Sequence, residues 1–187
     1  EPSLTFITTP NNPTGSSVTL AEIEELAKIA TGLLVVDEAY AEFSDEHSAV
    51  TLIEKYPHLV VIRTMSKAFS FAGVRLGYLV ADKAIIEALF LVRLPYHLSS
   101  ITQAAAEVAL EFKEELLANV ATLIEERKRV ESQLQSLGLT VTPSKANFLL
   151  FSGFDIPSDL LWKSLLDAGV LIRDVGLSGH LRVTIGS

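Results

Sequence analysis

Apolar residues follow two patterns along this chain. Before residue 92, short unbroken apolar runs alternate with helical spacing. Leu4–Thr9, Leu33–Val36, Leu59–Arg63 and Gly77–Ala81 are rich in β-branched, aliphatic and aromatic residues, so they predict strands. Between the first two, Thr19 starts a helix running to about Ala30. Glu22 completes a capping box there, and Ile23, Leu26, Ala27 and Ala30 form one apolar face. A weaker helical pattern covers Ala49–Lys55, and a short helix covers Lys83–Leu91. Arg93-Leu94-Pro95-Tyr96 then breaks the chain. A helix follows from Ser99 or Ser100 to Phe112, and a longer one from Glu114 to Leu137. Leu116, Leu117, Val120, Leu123, Ile124 and Val130 are the apolar positions of the longer helix. The charges of Glu125–Arg129 with Glu131 predict a solvated face.

Gly138 ends that helix, and the texture changes. Leu139–Thr142 and Phe148–Phe151 predict a strand pair. Pro157–Ala168 predicts a helix with Trp162 and Leu165 inward, closed by Gly169. Val170–Ile172 and Leu181–Ile185 predict two more short strands. The first region is therefore α/β, a mostly parallel sheet with flanking helices, and the second is a smaller α+β unit. Phe112 marks the expected boundary, giving domains 1–112 and 113–187.

Composition narrows the functions. The 187 residues are 49% hydrophobic with a net charge of −8. That allows a substantial core and disfavours general nucleic-acid binding, while leaving room for a local cationic pocket. No cysteine is present. Disulfides, Cys-based zinc sites and thiol catalysis are excluded. No apolar run reaches membrane-spanning length, and no basic-then-apolar leader opens the sequence. Glu1 and Ser187 both fall beside strand-like segments, so a chain cut at both ends is expected.

The chemistry concentrates where strands end. Thr64-Met65-Ser66-Lys67 follows the third strand, and Arg75 leads into the fourth. A lysine beside a buried strand end is a candidate nucleophile when desolvated. Pro10-Asn11-Asn12-Pro13-Thr14-Gly15 breaks the first strand, and Asp37-Glu38-Ala39-Tyr40 ends the second. Taken singly, these are a tight turn, a capping or loop aspartate and a solvated lysine. Together, Asn12, Asp37 with Tyr40, and Lys67 each follow a strand, which is where α/β sheets bind ligands. Pyridoxal phosphate meets each demand of the set. The amine takes its aldehyde as a Schiff base, a carboxylate pairs with its ring nitrogen, and a phenol and an amide meet its ring oxygen. Arginine and hydroxyls hold its phosphate.

The sequence resembles the fold-type I pyridoxal-phosphate-dependent aminotransferases. The resemblance is carried by PNNPTG (Pro10–Gly15), VVDEAYAEF (Val35–Phe43), RTMSKAFSFAGVRLG (Arg63–Gly77), RLPYHLSSITQAAA (Arg93–Ala106), ANFLLF (Ala146–Phe151) and GVLIRD with LRVTIG (Gly169–Asp174, Leu181–Gly186). It covers essentially the whole chain. Within the family, the branch acting on histidinol phosphate is the nearest in pattern, on RLPYHLSS and the late arginines. The resemblance implies that Lys67 is the Schiff-base lysine and the base that moves the substrate Cα proton. It implies that Asp37 pairs with the pyridine nitrogen, that Tyr40 and Asn12 contact the ring oxygen, and that Thr64, Ser66 and Arg75 hold the phosphate. Arg182 and Arg173 would grip the substrate's anionic group, and Asn147 would line the site.

The implied reaction moves an amino group between histidinol phosphate/imidazole acetol phosphate and glutamate/2-oxoglutarate in a cytoplasmic homodimer. An aromatic-amino-acid aminotransferase, a threonine-phosphate decarboxylase and a non-catalytic module of the same fold are the alternatives. An ATP-driven motor is excluded in practice: VVDEAY superficially resembles a Walker B strand, but no GxxxxGK[ST] loop accompanies it. Family members are considerably longer. The first strands, a phosphate-cradling glycine loop, a ring-stacking aromatic, a tyrosine reaching across the dimer and the last helix would lie outside these residues. The 187 residues alone are expected to be inactive or nearly so, with exposed apolar surface where the other strands belong.

Overall fold

The computed structural model describes residues 2–186. Strands β1 (Leu4–Thr8), β2 (Leu33–Asp37), β3 (Leu59–Thr64) and β4 (Gly77–Ala81) form one sheet in that order. β1, β2 and β3 run parallel, and β4 returns antiparallel to β3. All three parallel strands thus end on the same side, which is what gathers their C-terminal loops. Leu34, Val36, Leu59 and Val61 are fully buried on one face. Helix α1 (Leu20–Ile29) covers that face through Ile23 and Ala27. The expected capping box is present: Thr19 Oγ1 accepts from the Glu22 N–H at 3.3 Å, and Glu22 Oε2 accepts from the Thr19 N–H at 2.8 Å.

Ala49–Lys55 does not form the expected α-helix. A 3-10 turn spans Ala49–Leu52, capped by Ser48 Oγ accepting from Val50. Ala49 and Leu52 are its buried residues, three apart, which matches one 3-10 turn, while Val50, Ile53 and Tyr56 pack half-buried against the same core.

Helices α2 (Lys83–Val92), α3 (Ser100–Glu111) and α4 (Lys113–Ser136) follow. Asp82 caps α2 and Ser99 caps α3, each accepting from an N–H of the first turn. Phe112 stands between α3 and α4. The second sheet is antiparallel, β5 (Thr140–Val141), β6 (Phe148–Ser152), β7 (Leu181–Thr184), with α5 (Ser158–Asp167) between β6 and β7. Val170–Ile172 is not a strand. Only Arg173 pairs with Arg182 there, as an isolated bridge. The Ile172 carbonyl instead accepts the indole N–H of Trp162 at 2.9 Å, and left-handed Gly169 and Gly176 bracket the segment.

Helix α4 is a shared wall. Val120, with Leu116 and Ile124, packs into the core of Tyr40, Phe43, Met65 and Phe148. Val130 and Leu134 pack against Val141, Leu149, Phe151 and Leu181, and Leu123 touches both groups. The expected solvated face is interrupted: Arg127 is 7% exposed. Exposed apolar side chains gather on β1 (Leu4, Phe6) and from α2 into α3 (Phe90, Leu91, Val92, Leu94, Tyr96, Ile101). Among the described residues no helix is long and apolar enough to cross a membrane.

Candidate functional site

The loops after β1, β2 and β3 meet at one end of the sheet, and β6 and β7 close over them. The Asn12 loop turns back on itself through Gly15 N–H to Asn11 O at 2.6 Å. Gly15 has φ +77°, and a Cβ there would stand 2.1 Å from Ser144 Oγ. Only glycine lets the loop lie this close to the second sheet. Lys145 N–H then donates to the Gly15 carbonyl at 2.7 Å, tying the two regions together.

Four predicted residues form a run of contacts. Lys67 Nζ lies 5.4 Å from the centroid of the Tyr40 ring. The Asn12 amide donates to the Tyr40 hydroxyl at 3.4 Å. Arg182 Nη1 donates to Asn12 Oδ1 at 2.6 Å. Burial lowers the Arg182 pKa, the nearby Tyr40 opposes that, and Arg173 adds to it. Among the described residues the buried Arg182 Nε has no hydrogen-bond partner. Arg182 and Arg173 line an open cleft of about 410 Å³ together with Asn12, Pro13, Asp174 and Val175. Two guanidiniums facing one cleft suit a multiply charged anion.

Asp37 is the last residue of β2, rather than the first residue after it as expected. Its Oδ1 accepts from the Ala39 N–H at 3.0 Å, the one hydrogen bond of that carboxylate among the described residues. Thr64 Oγ1 lies 2.9 Å from Ser66 Oγ and accepts from the Ser66 N–H at 3.1 Å, so two hydroxyls and a main-chain region cluster at the end of β3. Arg75 stands apart. It is exposed, left-handed at φ +59°, and donates to the Ala72 carbonyl at 3.0 Å. Asn147 is half-buried, and its carbonyl accepts from Ile185 at 2.8 Å.

Two contributors went unremarked in the sequence. Phe148 meets the Tyr40 ring edge-on at 5.2 Å, and the Arg182 guanidinium sits 4.8 Å from its centroid. Its position beside Asn147 in the ANFLLF run was the available signal. Glu38, 3% exposed, holds the turn that presents Asp37 and Tyr40. It accepts from Arg63 Nη2 at 2.7 Å and Nε at 3.0 Å, from Ser48 Oγ at 2.8 Å and from the Ala49 N–H at 2.7 Å. Burial opposes ionisation of Arg63, yet the Glu38 hydrogen bond and charge raise its pKa on balance. Glu42 lies 3.7 Å from Arg63 with one oxygen buried and unpartnered, and burial raises its pKa despite that arginine.

Comparison with known proteins follows this geometry. The family described as aminotransferase class I and II matches residues 1–187. The chain is 60% identical over 187 residues to a histidinol-phosphate aminotransferase of Mycobacterium ulcerans, covering 99% of this chain and 48% of that protein. Histidinol-phosphate aminotransferase from Sinorhizobium meliloti, solved in complex with pyridoxal-5'-phosphate, superposes with a TM-score of 0.88 at 28% identity, over 99% of this chain and 53% of that one. L-threonine-O-3-phosphate decarboxylase from Porphyromonas gingivalis gives a TM-score of 0.89 at 25% identity, over 99% and 60%. The chain spans about half the length of the curated relatives it matches.

Proposed function

The chain belongs to the aminotransferase class I and II family, and we propose that the intact protein is a pyridoxal-phosphate-dependent transaminase. It would exchange an amino group between histidinol phosphate/imidazole acetol phosphate and glutamate/2-oxoglutarate. The observation that carries this is the run from the Lys67 amine over Tyr40 through Asn12 to Arg182, which joins a nucleophile to an anion grip across two sheets. The relative at 60% identity supports the substrate.

The residues fit the cofactor. Among the described residues Lys67 makes no ion pair, so its amine is uncommitted. Asp37 has acceptor capacity left for a protonated ring nitrogen, Tyr40 and Asn12 offer a hydroxyl and an amide, and Thr64 with Ser66 offers hydroxyls for the phosphate. Arg75 would complete that phosphate grip by leaving the Ala72 carbonyl. When bound, pyridoxal phosphate supplies an electron sink for negative charge at the substrate Cα.

The chain's own residues do the rest. Lys67 holds the cofactor and moves the Cα proton, acting as general base and acid. Asp37 keeps the ring nitrogen protonated by its charge. Arg182 and Arg173 fix the substrate's anionic end, with Asn147 beside them, so the Cα proton meets the lysine in one orientation. Both half-reactions would use this one site. Residues 1–112 would form the cofactor side and 113–187 the closing side, in a cytoplasmic homodimer. The arginine pair would equally hold threonine phosphate, and the decarboxylase's superposition makes that the second reading.

The test is Lys67→Ala in the intact protein. Titration with pyridoxal phosphate should give a visible band of the cofactor–lysine linkage in the wild type and none in the variant, with transamination of histidinol phosphate falling by at least about 10²–10⁴-fold. A band that persists in Lys67→Ala overturns the role of Lys67. A wild type that decarboxylates threonine phosphate in preference selects the second reading.

A further inference from the structure

Helix α4 carries an apolar stripe at 116, 120, 123, 130 and 134, which alternates steps of four and three except for one gap of seven between 123 and 130. Position 127 completes that stripe, and it is an arginine. Arg127 is 7% exposed, and among the described residues no carboxylate lies within ion-pair distance of it. A buried cation without a paired anion is expensive, so an apolar residue would be the expected occupant. Its recorded hydrogen bonds are to main-chain carbonyls: Nη1 donates to Ala146 O at 2.6 Å and reaches Phe43 O at 3.4 Å. Burial lowers its pKa, while Glu131 and Asp45 oppose that from a distance.

Those two carbonyls belong to opposite halves of the site. Phe43 ends the 3-10 turn that begins directly after Tyr40. Ala146 lies two residues before Phe148, the ring that meets Tyr40 and underlies Arg182. One guanidinium therefore fixes the strand-end turn carrying Tyr40 and the β5–β6 connection carrying Phe148 to a single helix. Two further ties cross nearby, Lys145 to Asp45 at 2.5 Å and Lys145 N–H to Gly15 O, but the ion pair is exposed and screened by solvent. Arg127 supplies a buried side-chain tie.

We propose that Arg127 is a positioning residue that sets the anion-binding Arg182 against Tyr40 and Asn12 by clamping the Phe43 and Ala146 carbonyls to α4. The proposal rests on the function given above for its kinetic consequence, though not for the clamp itself. A charged nitrogen on a long stem, here Nη1, reaches both carbonyls from one helix position.

The experiment compares the wild type with Arg127→Met, which fills the apolar stripe, and Arg127→Lys, which keeps one charged donor. Amide hydrogen exchange of the cofactor-free intact protein should speed up about tenfold or more at residues 41–44 and 144–148 in Arg127→Met, leaving β3 unchanged. In steady-state assays KM for the phosphorylated substrate should rise by about 10–100-fold, the scale of a remote misplacement, while kcat changes much less. The cofactor–lysine band should still form, and Arg127→Lys should recover part of the KM. Exchange unchanged at either segment overturns the clamp. Faster exchange that also reaches β3 assigns Arg127 to general stability and overturns the proposal, as does local loosening with wild-type KM. Should Arg127→Met not fold, Arg127→Lys is judged by the same criteria. A wild type inert toward every amino donor overturns the proposed function instead, and the exchange pattern alone then decides the clamp.

Discussion

Helices α1 and α2 have ten residues each and opposite relations to the core. α1 (LAEIEELAKI) mixes charges with a narrow apolar stripe, yet buries Ile23 and Ala27 against the sheet. α2 (KAIIEALFLV) is far more apolar, yet buries nothing, and Leu91 is 87% exposed. Burial is a property of a pair of surfaces, and α1 has its partner in β2 and β3. The same division runs through the site. Tyr40 is buried, Lys67 and Arg182 are half-buried, and these three connect through contacts that include the exposed Asn12. Arg75, on the sparse side leading into β4, bonds its own loop. A functional side chain is held in place when its neighbourhood is filled.

The largest expected effect that sharpens this contrast is at Glu38. Its carboxylate collects four hydrogen bonds in a closed pocket, and Arg63 has no comparable second partner. Glu38→Ala strips a buried pair of one member and leaves the Ala49 N–H and the guanidinium uncompensated. Removal should cost about 3–5 kcal/mol in urea unfolding. A loss below about 1 kcal/mol would mean that the dense side is no more constrained than the sparse one.

Glu42 gives a smaller effect with a defined pH dependence. Burial raises its pKa above the usual 4.5, outweighing the attraction of Arg63. The unfolded carboxyl therefore ionises first. Its contribution to stability is fully present below about 4.5 and is lost as pH rises through the higher folded value. Glu42→Gln removes the ionisation. Thermal unfolding from pH 4 to pH 8 should show the wild type losing stability relative to Glu42→Gln as pH rises. Parallel curves would show that the buried oxygen carries no cost.

Much of this arrangement was legible in the sequence, for reasons that differ by residue. The parallel strands announced themselves as apolar runs, and Asn12, Asp37, Tyr40 and Lys67 stand out as candidates because each lies at or just after a strand end. Arg182 rested on family resemblance, since nothing local distinguishes it from a surface arginine. The 3-10 turn at Ala49–Leu52 was misread because Ala49, Leu52, Ile53 and Tyr56 have the i, i+3, i+4, i+7 spacing of an α-helix, which the chain does not form. Val170–Ile172 was misread because the Trp162 indole claims a carbonyl that a strand would need. Arg127 was visible in the stripe at 116, 120, 123, 130 and 134, but neighbouring charges at 125–129 suggested solvent. Periodicity and local charge disagreed there, and periodicity was right. Glu38 was hidden beside Asp37: two adjacent carboxylates at a strand end point to opposite faces, and the sequence alone does not say which faces the ligand.

The smallest expected effect probes α2 directly. Leu91→Gln replaces a side chain that touches little, so unfolding of the 187-residue chain should shift by no more than about 0.5 kcal/mol. The same substitution in a protein spanning its relatives' full length need not be neutral. An apolar helix beside an outer strand, with Tyr78, Leu89, Phe90 and Val92 around an open groove, has the composition of a surface that meets another one. A cost of about 2–5 kcal/mol in the longer protein would place Leu91 in a packed core. The contrast between α1 and α2 would then reflect which partner surface is present, not the helices themselves. Neutrality in both would make α2 a solvent-facing apolar helix in its own right, and the dense and sparse sides would be a fixed feature of this fold.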